Sequence, residues 1–303
     1  MTIMTDFQQK IADLLPGIRL CINESLAKHT SFRIGGAAEV MAFPETADQL
    51  REILKMSAFL DCKTAILGAG TNILAPDEGI AGLVICLKDL EDAMEQTDDT
   101  HIWVGAGVSM ARAATFAANR NLSGLEFAHG IPGSVGGGVY MNAGAYGGEI
   151  AQVCSRVKVM DRDGNVRLLS GEEMEFSYRH SRLEDENAIV IRAEFALTPK
   201  PCEEIKAVMQ DLMTRRRASQ PLDLPSAGSA FKRPVAGYAA ALIDQAGLKG
   251  FRVGGAAISE KHAGFAVNLG GATARDVKVL LQQVADKVFD DTGIRLEPEV
   301  RIW

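Results

Sequence analysis

The sequence predicts an α+β protein built from two or three lobes. Three observations support this prediction: the length of the chain, the alternation of strand-like and helix-like segments, and two glycine-rich stretches. At 303 residues the chain is longer than one compact hydrophobic core usually holds. Hydrophobic residues make up 47% of the chain and charged residues 23%, as in an ordinary globular protein.

The composition argues against several classes of protein and site. The net charge of −7 at pH 7 argues against a nucleic-acid-binding surface, because such surfaces need an excess of Lys and Arg. No apolar run has the length of a membrane span, and residues 1–10 lack the pattern of a signal peptide. The five cysteines are widely spaced and the five histidines show no ligand spacing, so we expect neither disulfides nor a metal site. A reducing cytoplasm is the expected location.

The first part of the chain alternates helix and strand patterns. The predicted elements are a helix over 5–15, a strand over 38–43, a helix over 47–60 and a strand over 64–67. The strand–helix–strand order indicates an α/β lobe over residues 18–82. With the N-terminal helix, the first predicted lobe covers residues 1–82.

Strand patterns dominate the middle of the chain. The predicted elements are strands over 83–87, 100–104, 151–160, 165–169 and 188–197 and a helix over 110–119. Asp161-Arg162-Asp163-Gly164 is a strong turn signal, so the strands on either side of it should form a hairpin. Pro199 and Pro201 then break the pattern, and the second predicted lobe, residues 83–200, ends there.

The last third of the chain predicts a smaller α/β lobe, residues 201–303. Its predicted elements are helices over 201–218, 238–246 and 274–289, strands over 256–258, 265–267 and 295–303, and a loop over 220–234. In the terminal strand, Leu296, Pro298, Val300 and Ile302 should share one side.

The most unusual stretch is Gly130–Gly148, which holds eight glycines in nineteen residues. A glycine inside a regular element costs about 0.5–1 kcal/mol relative to alanine, so this composition needs a cause such as backbone brought close to a ligand. Residues 134–142 predict one short helix whose N-terminal amides would bind an anion, with Asn142 and a glycine turn ending it. A glycine-rich surface loop without a ligand is the alternative.

A shorter glycine stretch, Gly68-Ala69-Gly70-Thr71-Asn72, follows the predicted strand over 64–67. It suits a phosphate-binding turn, but it lacks the third glycine of the dinucleotide fingerprint and the Gly-Lys-Ser/Thr of a Walker loop. Two such stretches, about sixty residues apart, predict one long ligand that contains a pyrophosphate and is held by both.

Six motifs follow one another along the chain. They are Thr30-Ser31-Phe32-Arg33-Ile34-Gly35-Gly36, the Gly68 stretch, the Gly130–Gly147 stretch, Tyr178-Arg179-His180-Ser181, Gly228-Ser229-Ala230-Phe231-Lys232 and Leu296-Glu297-Pro298-Glu299-Val300-Arg301. In this order, from about Asn23 to Arg301, they resemble the UDP-N-acetylenolpyruvoylglucosamine reductase family, flavoenzymes of bacterial cell-wall precursor synthesis. The resemblance implies a two-lobed α+β FAD-binding domain of the PCMH/vanillyl-alcohol-oxidase type, followed by a smaller α/β substrate-binding domain.

The resemblance implies FAD as cofactor, NADPH as reductant and UDP-N-acetylglucosamine enolpyruvate as substrate, with no obligatory protein partner. Covalent members of the wider class have a flavin-linking histidine where this chain has Thr71-Asn72, so we expect non-covalent FAD. The residues implied for FAD are Arg33, Gly68, Ala69, Gly70, Thr71, Asn72, Gly130, Ile131, Pro132, Gly133, Ser134, Gly136, Gly137, Asn142, Ala143, Gly144 and Gly147. The third lobe is short and resembles the subtype that lacks an extra tyrosine loop.

The implied reaction adds hydride to an enolpyruvyl double bond, which puts negative charge on the substrate carboxylate. The resemblance assigns Arg179 and Glu299 to stabilise that charge and Ser229 to donate the proton. The implied substrate contacts are Tyr178, Lys232 and Asn268, and Arg233 stands where many members have asparagine.

Several alternatives remain open at this point. Without the resemblance, Arg179, Ser229 and Glu299 would each be interpreted as a surface, turn or exposed strand residue. A flavin-dependent alcohol or sugar oxidase or dehydrogenase of the same wider class is an alternative enzyme. A flavin- or nucleotide-binding module that has lost activity is a third possibility.

Overall fold

The computed structural model describes residues 4–303, which divide into two compact units. The first unit holds the chain up to Ile22 together with Glu39–Ala69 and Gly82–Arg215. The second unit holds Asn23–Ala38, Gly70–Ala81 and Arg216–Trp303. Two short segments from the N-terminal third of the chain therefore belong with its C-terminal part. The predicted division into three lobes at residues 82 and 200 stays a prediction.

The described residues form eight α-helices and nineteen strands. The helices are α1 Asp6–Leu14, α2 Ala47–Phe59, α3 Met110–Ala118, α4 Val135–Tyr140, α5 Arg182–Glu186, α6 Cys202–Ser219, α7 Ala239–Gln245 and α8 Ala274–Thr292. The strands are β1 Arg19–Ser25, β2 Ala37–Phe43, β3 Thr64–Leu67, β4 Ile73–Leu74, β5 Ile80–Cys86, β6 Met94–Gln96, β7 His101–Gly105, β8 Leu122–Ser123, β9 Gly144–Ala145, β10 Gly148–Glu149, β11 Cys154–Met160, β12 Val166–Ser170, β13 Ile189–Ala196, β14 Thr198–Pro199, β15 Ser226–Ser229, β16 Arg252–Val253, β17 Ala256–Ile258, β18 Phe265–Asn268 and β19 Arg301–Ile302.

A four-stranded sheet in the order β1-β2-β5-β3 lies mainly in the first unit. Strands β3 and β5 are parallel, and α2 follows β2 in the chain, so the predicted strand–helix–strand pattern is confirmed. The Thr46 side chain accepts a hydrogen bond from the Gln49 N–H and begins α2, whose residues Leu50 and Ile53 are fully buried. They share one hydrophobic core with Ile85 of β5.

A five-stranded antiparallel sheet in the order β12-β11-β13-β7-β6 also lies in the first unit. The predicted hairpin is confirmed, because β11 and β12 pair across the Asp161–Gly164 turn with Met160 opposite Val166. The central strand β13 buries residues on both of its faces, as the adjacent residues Glu194 and Phe195 show. The short helix α4 packs against this strand.

The second unit has its own antiparallel sheet, in the order β15-β18-β17-β16. Helix α8 packs on β17 and β16 and buries Leu280 and Val284 in the core of this unit. Phe32, Ile34 and Leu74, from the two N-terminal segments, are buried in the same core. These three side chains explain why the short segments belong to this unit.

Two predictions about the C-terminal lobe need correction. The predicted loop over 220–234 contains the strand β15, whose residues Ser-Ala-Gly-Ser have no β-branched or aromatic side chain to indicate a strand. The predicted terminal strand is too long, because only Arg301–Ile302 forms a ladder, parallel to β4. Of the side expected to be apolar, Leu296 and Val300 are buried, whereas Ile302 is 44% exposed.

Two expectations from the sequence concern membrane-spanning segments and metal sites, and both can be compared with the described residues, 4–303. Within this range, none of the helices combines the length and the apolar character that crossing a bilayer requires. The same residues contain no group of three or more His, Cys, Asp and Glu side chains placed to hold a metal ion.

Candidate active site

The predicted short helix in the long glycine stretch is α4, Val135–Tyr140. Its first residue follows Ser134, which is 4% exposed and whose hydroxyl accepts a hydrogen bond from the Gly137 N–H at 3.5 Å. Close packing explains part of the glycine content, because a Cβ on Gly136 would lie 2.9 Å from the Cβ of Ala106. The glycine-rich composition therefore has a packing cause, whether or not a ligand binds.

The expected anion site at the N-terminal amides of this helix needs correction. The Val135 N–H donates to Val108 O at 2.8 Å and the Gly136 N–H donates to Ala106 O at 2.9 Å. Both amides are thus used within the protein, and Gly136 has no amide left for a phosphate. The amides of Gly133 and Ser134 have no acceptor within residues 4–303 and stay candidates for a phosphate contact.

The two glycine stretches touch at one point within the first unit. A Cβ on Gly68 would lie 3.4 Å from the hydroxyl oxygen of Ser134, so the end of β3 lies against the start of α4. Ala69 follows as an exposed residue. The remainder of the shorter stretch, Gly70–Asn72, belongs to the second unit.

A two-residue turn follows α4. Strands β9 and β10 pair with Ala145 opposite Gly148, and the two turn residues Tyr146 and Gly147 have φ of +54° and +86°. Positive φ at both central residues is the pattern of a type I′ hairpin turn. A Cβ on Gly147 would meet no atom within 4 Å, so the backbone there borders open space.

Asn142 connects this glycine stretch to the predicted catalytic arginine. Asn142 is 1% exposed, and its Nδ2 donates to Ser177 O at 2.9 Å, while its Oδ1 accepts from the Ala151 N–H at 2.9 Å. The neighbouring Ala143 is also buried and donates its amide to Gly138 O at 2.8 Å. Both polar atoms of the Asn142 side chain therefore have partners within the protein, and a cofactor contact by Asn142 stays a prediction.

Arg179 lies in a tight turn, Ser177–Ser181. Ser177 and His180 bond each other through both backbone N–H groups, at 3.1 and 3.2 Å, and Arg179 between them has φ of +58°. Its Nη2 donates to Gly144 O at 3.1 Å, and its guanidinium carbon lies 4.9 Å from the ring centre of Tyr178. Tyr178 is 48% exposed, so its ring is accessible from outside the first unit.

Residues far apart in the sequence come together in the second unit. The Glu299 N–H donates to Ala230 O at 2.9 Å, and the Lys232 N–H donates to Glu297 O at 2.8 Å. Ser229 precedes Ala230 at the end of β15 and is exposed. This pairing places the predicted proton donor and the predicted acid on two neighbouring backbone segments.

Asn72 also bonds the segment that carries Glu299. Its Nδ2 donates to Glu299 O at 3.1 Å, and Asn72 O accepts from the Arg301 N–H at 3.0 Å. The predicted cofactor residue Asn72 thus holds the segment that carries Glu299. Gly70, two residues earlier, needs to be glycine because a Cβ there would lie 1.9 Å from His29 O.

Lys232 and Arg233 are both exposed. Lys232 lies 3.6 Å from the carboxylate of Glu297, a surface ion pair that contributes little to stability. Arg233 has its guanidinium carbon 4.1 Å from the ring centre of Tyr238, so an aromatic ring partners it.

Arg33 and Asn268 have different environments. Arg33 is exposed with φ of +56°, and the buried side chains of Phe32 and Ile34 fix its backbone on either side. Asn268 is 7% exposed, donates to Phe32 O at 3.0 Å and accepts from the Gly270 and Ala272 amides. These bonds favour a structural role for Asn268, and its predicted substrate contact stays a prediction.

The predicted residues thus form two groups, each brought together inside one unit. The first group consists of Gly68, Ala69, Gly130, Ile131, Pro132, Gly133, Ser134, Gly136, Gly137, Asn142, Ala143, Gly144, Gly147, Tyr178 and Arg179. The second group consists of Arg33, Gly70, Thr71, Asn72, Ser229, Lys232, Asn268 and Glu299.

The sequence did not indicate two serines that support these groups. Ser181 is fully buried and its hydroxyl donates to Tyr140 O at 2.7 Å. The Ser31 hydroxyl donates to Ser226 O at 2.6 Å. Ser31 and Ser181 both lie inside the six motifs, but the resemblance assigns roles only to other residues of those motifs. Their bonds to distant carbonyl groups leave no local sequence signal.

Comparisons with known proteins agree along nearly the whole chain. Residues 38–170 match the profile of the FAD binding domain family, and residues 220–303 match that of the UDP-N-acetylenolpyruvoylglucosamine reductase C-terminal domain. The chain is 45% identical to the UDP-N-acetylenolpyruvoylglucosamine reductase of Agathobacter rectalis, over 98% of each chain. It is 44% identical to that of Caldanaerobacter subterraneus, over 97% of this chain and 96% of the relative.

A solved structure gives the same result. The UDP-N-acetylenolpyruvylglucosamine reductase of Thermus caldophilus is 36% identical and aligns with a TM-score of 0.79. The alignment covers 94% of this chain and 98% of that one.

Proposed function

Because the chain belongs to the UDP-N-acetylenolpyruvoylglucosamine reductase family, we propose that it reduces UDP-N-acetylglucosamine enolpyruvate to UDP-N-acetylmuramate. NADPH is the reductant, FAD is bound non-covalently, and the product is a peptidoglycan precursor made in the cytoplasm. The observation that most supports this proposal is the backbone pairing that holds Glu299 next to the Ser229–Ala230 segment. Ser229 and Glu299 are two of the three residues to which we assign the reaction, and Arg179 is the third.

The first unit fits the phosphate part of a dinucleotide. Gly68 lies against Ser134, and the amides of Gly133 and Ser134 have no acceptor within residues 4–303. Amide N–H groups near glycine, with no side chain in the way, suit a pyrophosphate. FAD held there would supply the hydride chemistry for reduction of the alkene, with NADPH as the source of the electrons.

We assign the stabilisation of the developing charge to Arg179 and Glu299. Hydride addition turns the substrate carboxylate into an enediolate-like group, and donors placed where that charge develops accelerate the step. The planar guanidinium of Arg179 suits a carboxylate, and its bond to Gly144 O keeps it from moving freely. Glu299, as a carboxylic acid, would donate a hydrogen bond to developing negative charge.

We assign the proton to the hydroxyl of Ser229. The carbon next to the substrate carboxylate must gain a proton, and the enediolate-like intermediate is basic enough to take one from a serine. Ser229 suits this role because it is exposed and because strand β15 holds its backbone opposite Phe265. Lys232 and Tyr178 are assigned to the diphosphate and sugar of the substrate.

An anaerobic stopped-flow experiment tests this function. The purified protein with FAD is mixed first with NADPH and then with UDP-N-acetylglucosamine enolpyruvate. We expect the flavin absorbance to bleach in the first step and to recover in the second. Bleaching without recovery would mean another electron acceptor, and oxygen consumption with an alcohol in the absence of NADPH would favour an oxidase. The absence of a flavin band after FAD is added would contradict the cofactor assignment.

A further inference from the structure

The turn that carries Arg179 is attached to residues 140–144 at three points. The Ser181 hydroxyl donates to Tyr140 O at 2.7 Å, Asn142 Nδ2 donates to Ser177 O at 2.9 Å, and Arg179 Nη2 donates to Gly144 O at 3.1 Å. On the side of this segment, the bonding groups belong to the alternate residues Tyr140, Asn142 and Gly144. The backbone on both sides of Arg179 and its guanidinium are therefore all fixed to the same stretch of chain.

Asn142 is the central point of this attachment. It is 1% exposed, and its φ of +45° is a conformation that asparagine tolerates better than most residues. The amide group uses its nitrogen on Ser177 O and its oxygen on the Ala151 N–H. Since both polar atoms of this buried amide bond groups of the protein, the side chain is placed to hold the turn.

The turn needs such support because its backbone is strained. Arg179 has φ of +58°, and a long side chain in this region costs on the order of 1 kcal/mol or more. Such a conformation persists when neighbouring bonds over-determine it. The two mutual backbone bonds of Ser177 and His180 close the turn, and the bonds from Asn142 and Ser181 hold it in place.

We infer that Asn142 is a positioning residue for Arg179, and that it acts on the substrate carboxylate through Arg179 without contacting FAD. The inference rests on the proposed reductase function for its kinetic consequence. It replaces the sequence-based assignment of Asn142 to the cofactor. Residues 140–144 then have a second role besides forming part of the glycine stretch. They set the position of the Arg179 guanidinium.

The test uses Asn142→Asp in the FAD-loaded, full-length protein. Aspartate keeps the acceptor for the Ala151 N–H, loses the donor to Ser177 O and places a carboxylate oxygen against that carbonyl. A second variant, Asn142→Gly, tolerates the positive φ and removes both side-chain bonds. The matched control is Asn121→Asp, because Asn121 also has positive φ, +60°, and its Oδ1 accepts from the Cys202 N–H at 3.0 Å.

Three quantities are measured for each variant. They are the dissociation constant of FAD from fluorescence titration, the rate of absorbance recovery after substrate is added to the reduced protein, and the hydrogen exchange of the Ser177 and His180 amides. In both Asn142 variants we expect an unchanged FAD constant, recovery slowed roughly 10- to 100-fold by the displaced guanidinium, and faster exchange of the two amides. Asn121→Asp should match the wild type in all three.

Each outcome decides the inference. Weaker FAD binding with unchanged exchange of the Ser177 and His180 amides would show that Asn142 contacts the cofactor and does not hold the turn. Unchanged exchange and unchanged recovery would show that Asn142 does not hold the turn. If the wild-type protein itself shows no recovery with substrate, the proposed function fails, and amide exchange still tests the attachment of the turn. If the Asn142 variants do not fold, Ser181→Ala removes one of the three attachment points and should give the same changes, smaller in size.

Discussion

Ser229 is the residue whose proposed role gives the sharpest test. Replacing Ser229 with alanine should leave bleaching by NADPH intact and slow the substrate-dependent recovery about 10²- to 10⁴-fold, the usual contribution of a positioned proton donor. Single-turnover stopped-flow separates the two steps. Ser226→Ala, three residues earlier on strand β15, serves as the control and should recover normally. Equal slowing of both steps in Ser229→Ala would refute the assignment.

At the same scale, the pair Arg156 and Glu194 predicts a pH dependence of stability. Glu194 is 2% exposed; burial raises its pKa, but hydrogen bonds from Arg156 and Ser155 outweigh this and leave the pKa below its ordinary value. A lowered folded-state pKa stabilises the protein above the ordinary glutamate pKa, and this stabilisation is lost as the pH falls through the folded value. Arg156→Ala should therefore lower the free energy of unfolding at pH 7, with the difference from the wild type shrinking in acid.

Urea denaturation across the pH range measures this difference. Arg167→Ala provides the comparison, because its partner Glu186 keeps a second arginine, Arg182, and should lose less stability. An Arg156→Ala difference that stayed constant down to acid pH would show that the charge on Glu194 is not responsible.

The sequence suggests individual site residues where a motif fixes the residue type. Arg179, Ser229 and Glu299 stand at positions that the six motifs single out, and their roles stay predictions. What Asn142 and Asn268 do was not predictable, because both side chains bond groups brought near by folding, such as Ser177 O and Phe32 O. An asparagine that binds a ligand and one that binds a distant carbonyl look alike in a sequence.

At the scale of elements, helix α4 gives a test of why its glycines are there. A Cβ on Gly136 would lie 2.9 Å from the Cβ of Ala106, whereas one on Gly137 would meet only the Ser134 hydroxyl, at 3.6 Å. Gly136→Ala should destabilise the protein by about 1–3 kcal/mol through overpacking. Gly137→Ala, in the same helix, should be tolerated. Urea denaturation at a fixed FAD concentration compares them, and equal stability of the two variants would contradict the packing explanation.

Helices were easier to predict than strands, for a physical reason. The starts of α2, α3 and α8 follow Thr46, Ser109 and Thr273, whose side chains each cap the helix within three residues, so the signal is local. The ends of β15 and β19 depend on partners far along the chain, such as Ile73 opposite Arg301. Local composition does not contain that pairing.

At the scale of the whole molecule, Asp77 shows how a remote segment supports the second unit. Its carboxylate accepts from the Ala274 N–H at 2.7 Å and the Arg275 N–H at 3.1 Å, at the start of α8. Asp77→Ala should cost about 1 kcal/mol, as the loss of a helix cap usually does. Thermal unfolding measures the change. The control is Glu78→Ala, an exposed neighbour, and an equal loss there would show that the cap is not the cause.

The sequence predicted the presence of several lobes and the position of most helices in them. It did not predict that Asn23–Ala38 and Gly70–Ala81 belong with the C-terminal part. Phe32, Ile34 and Leu74 are ordinary apolar residues, and nothing in their own neighbourhood tells which core they enter. Membership of a unit is decided by contacts between segments far apart in the chain.

The distance along the chain between Asn72 and Glu299 has a consequence for synthesis in the cell. Their hydrogen bond joins residues 227 positions apart, and the parallel pair β4 and β19 lies directly next to it. At about 5–20 residues per second, a ribosome needs roughly 10–45 s to translate the intervening chain. During that time Phe32 and Leu74 lack the C-terminal part of their core, so the second unit is completed only after Arg301–Ile302 has been translated. A chain that stopped before residue 301 would lack β19, the strand that pairs with β4.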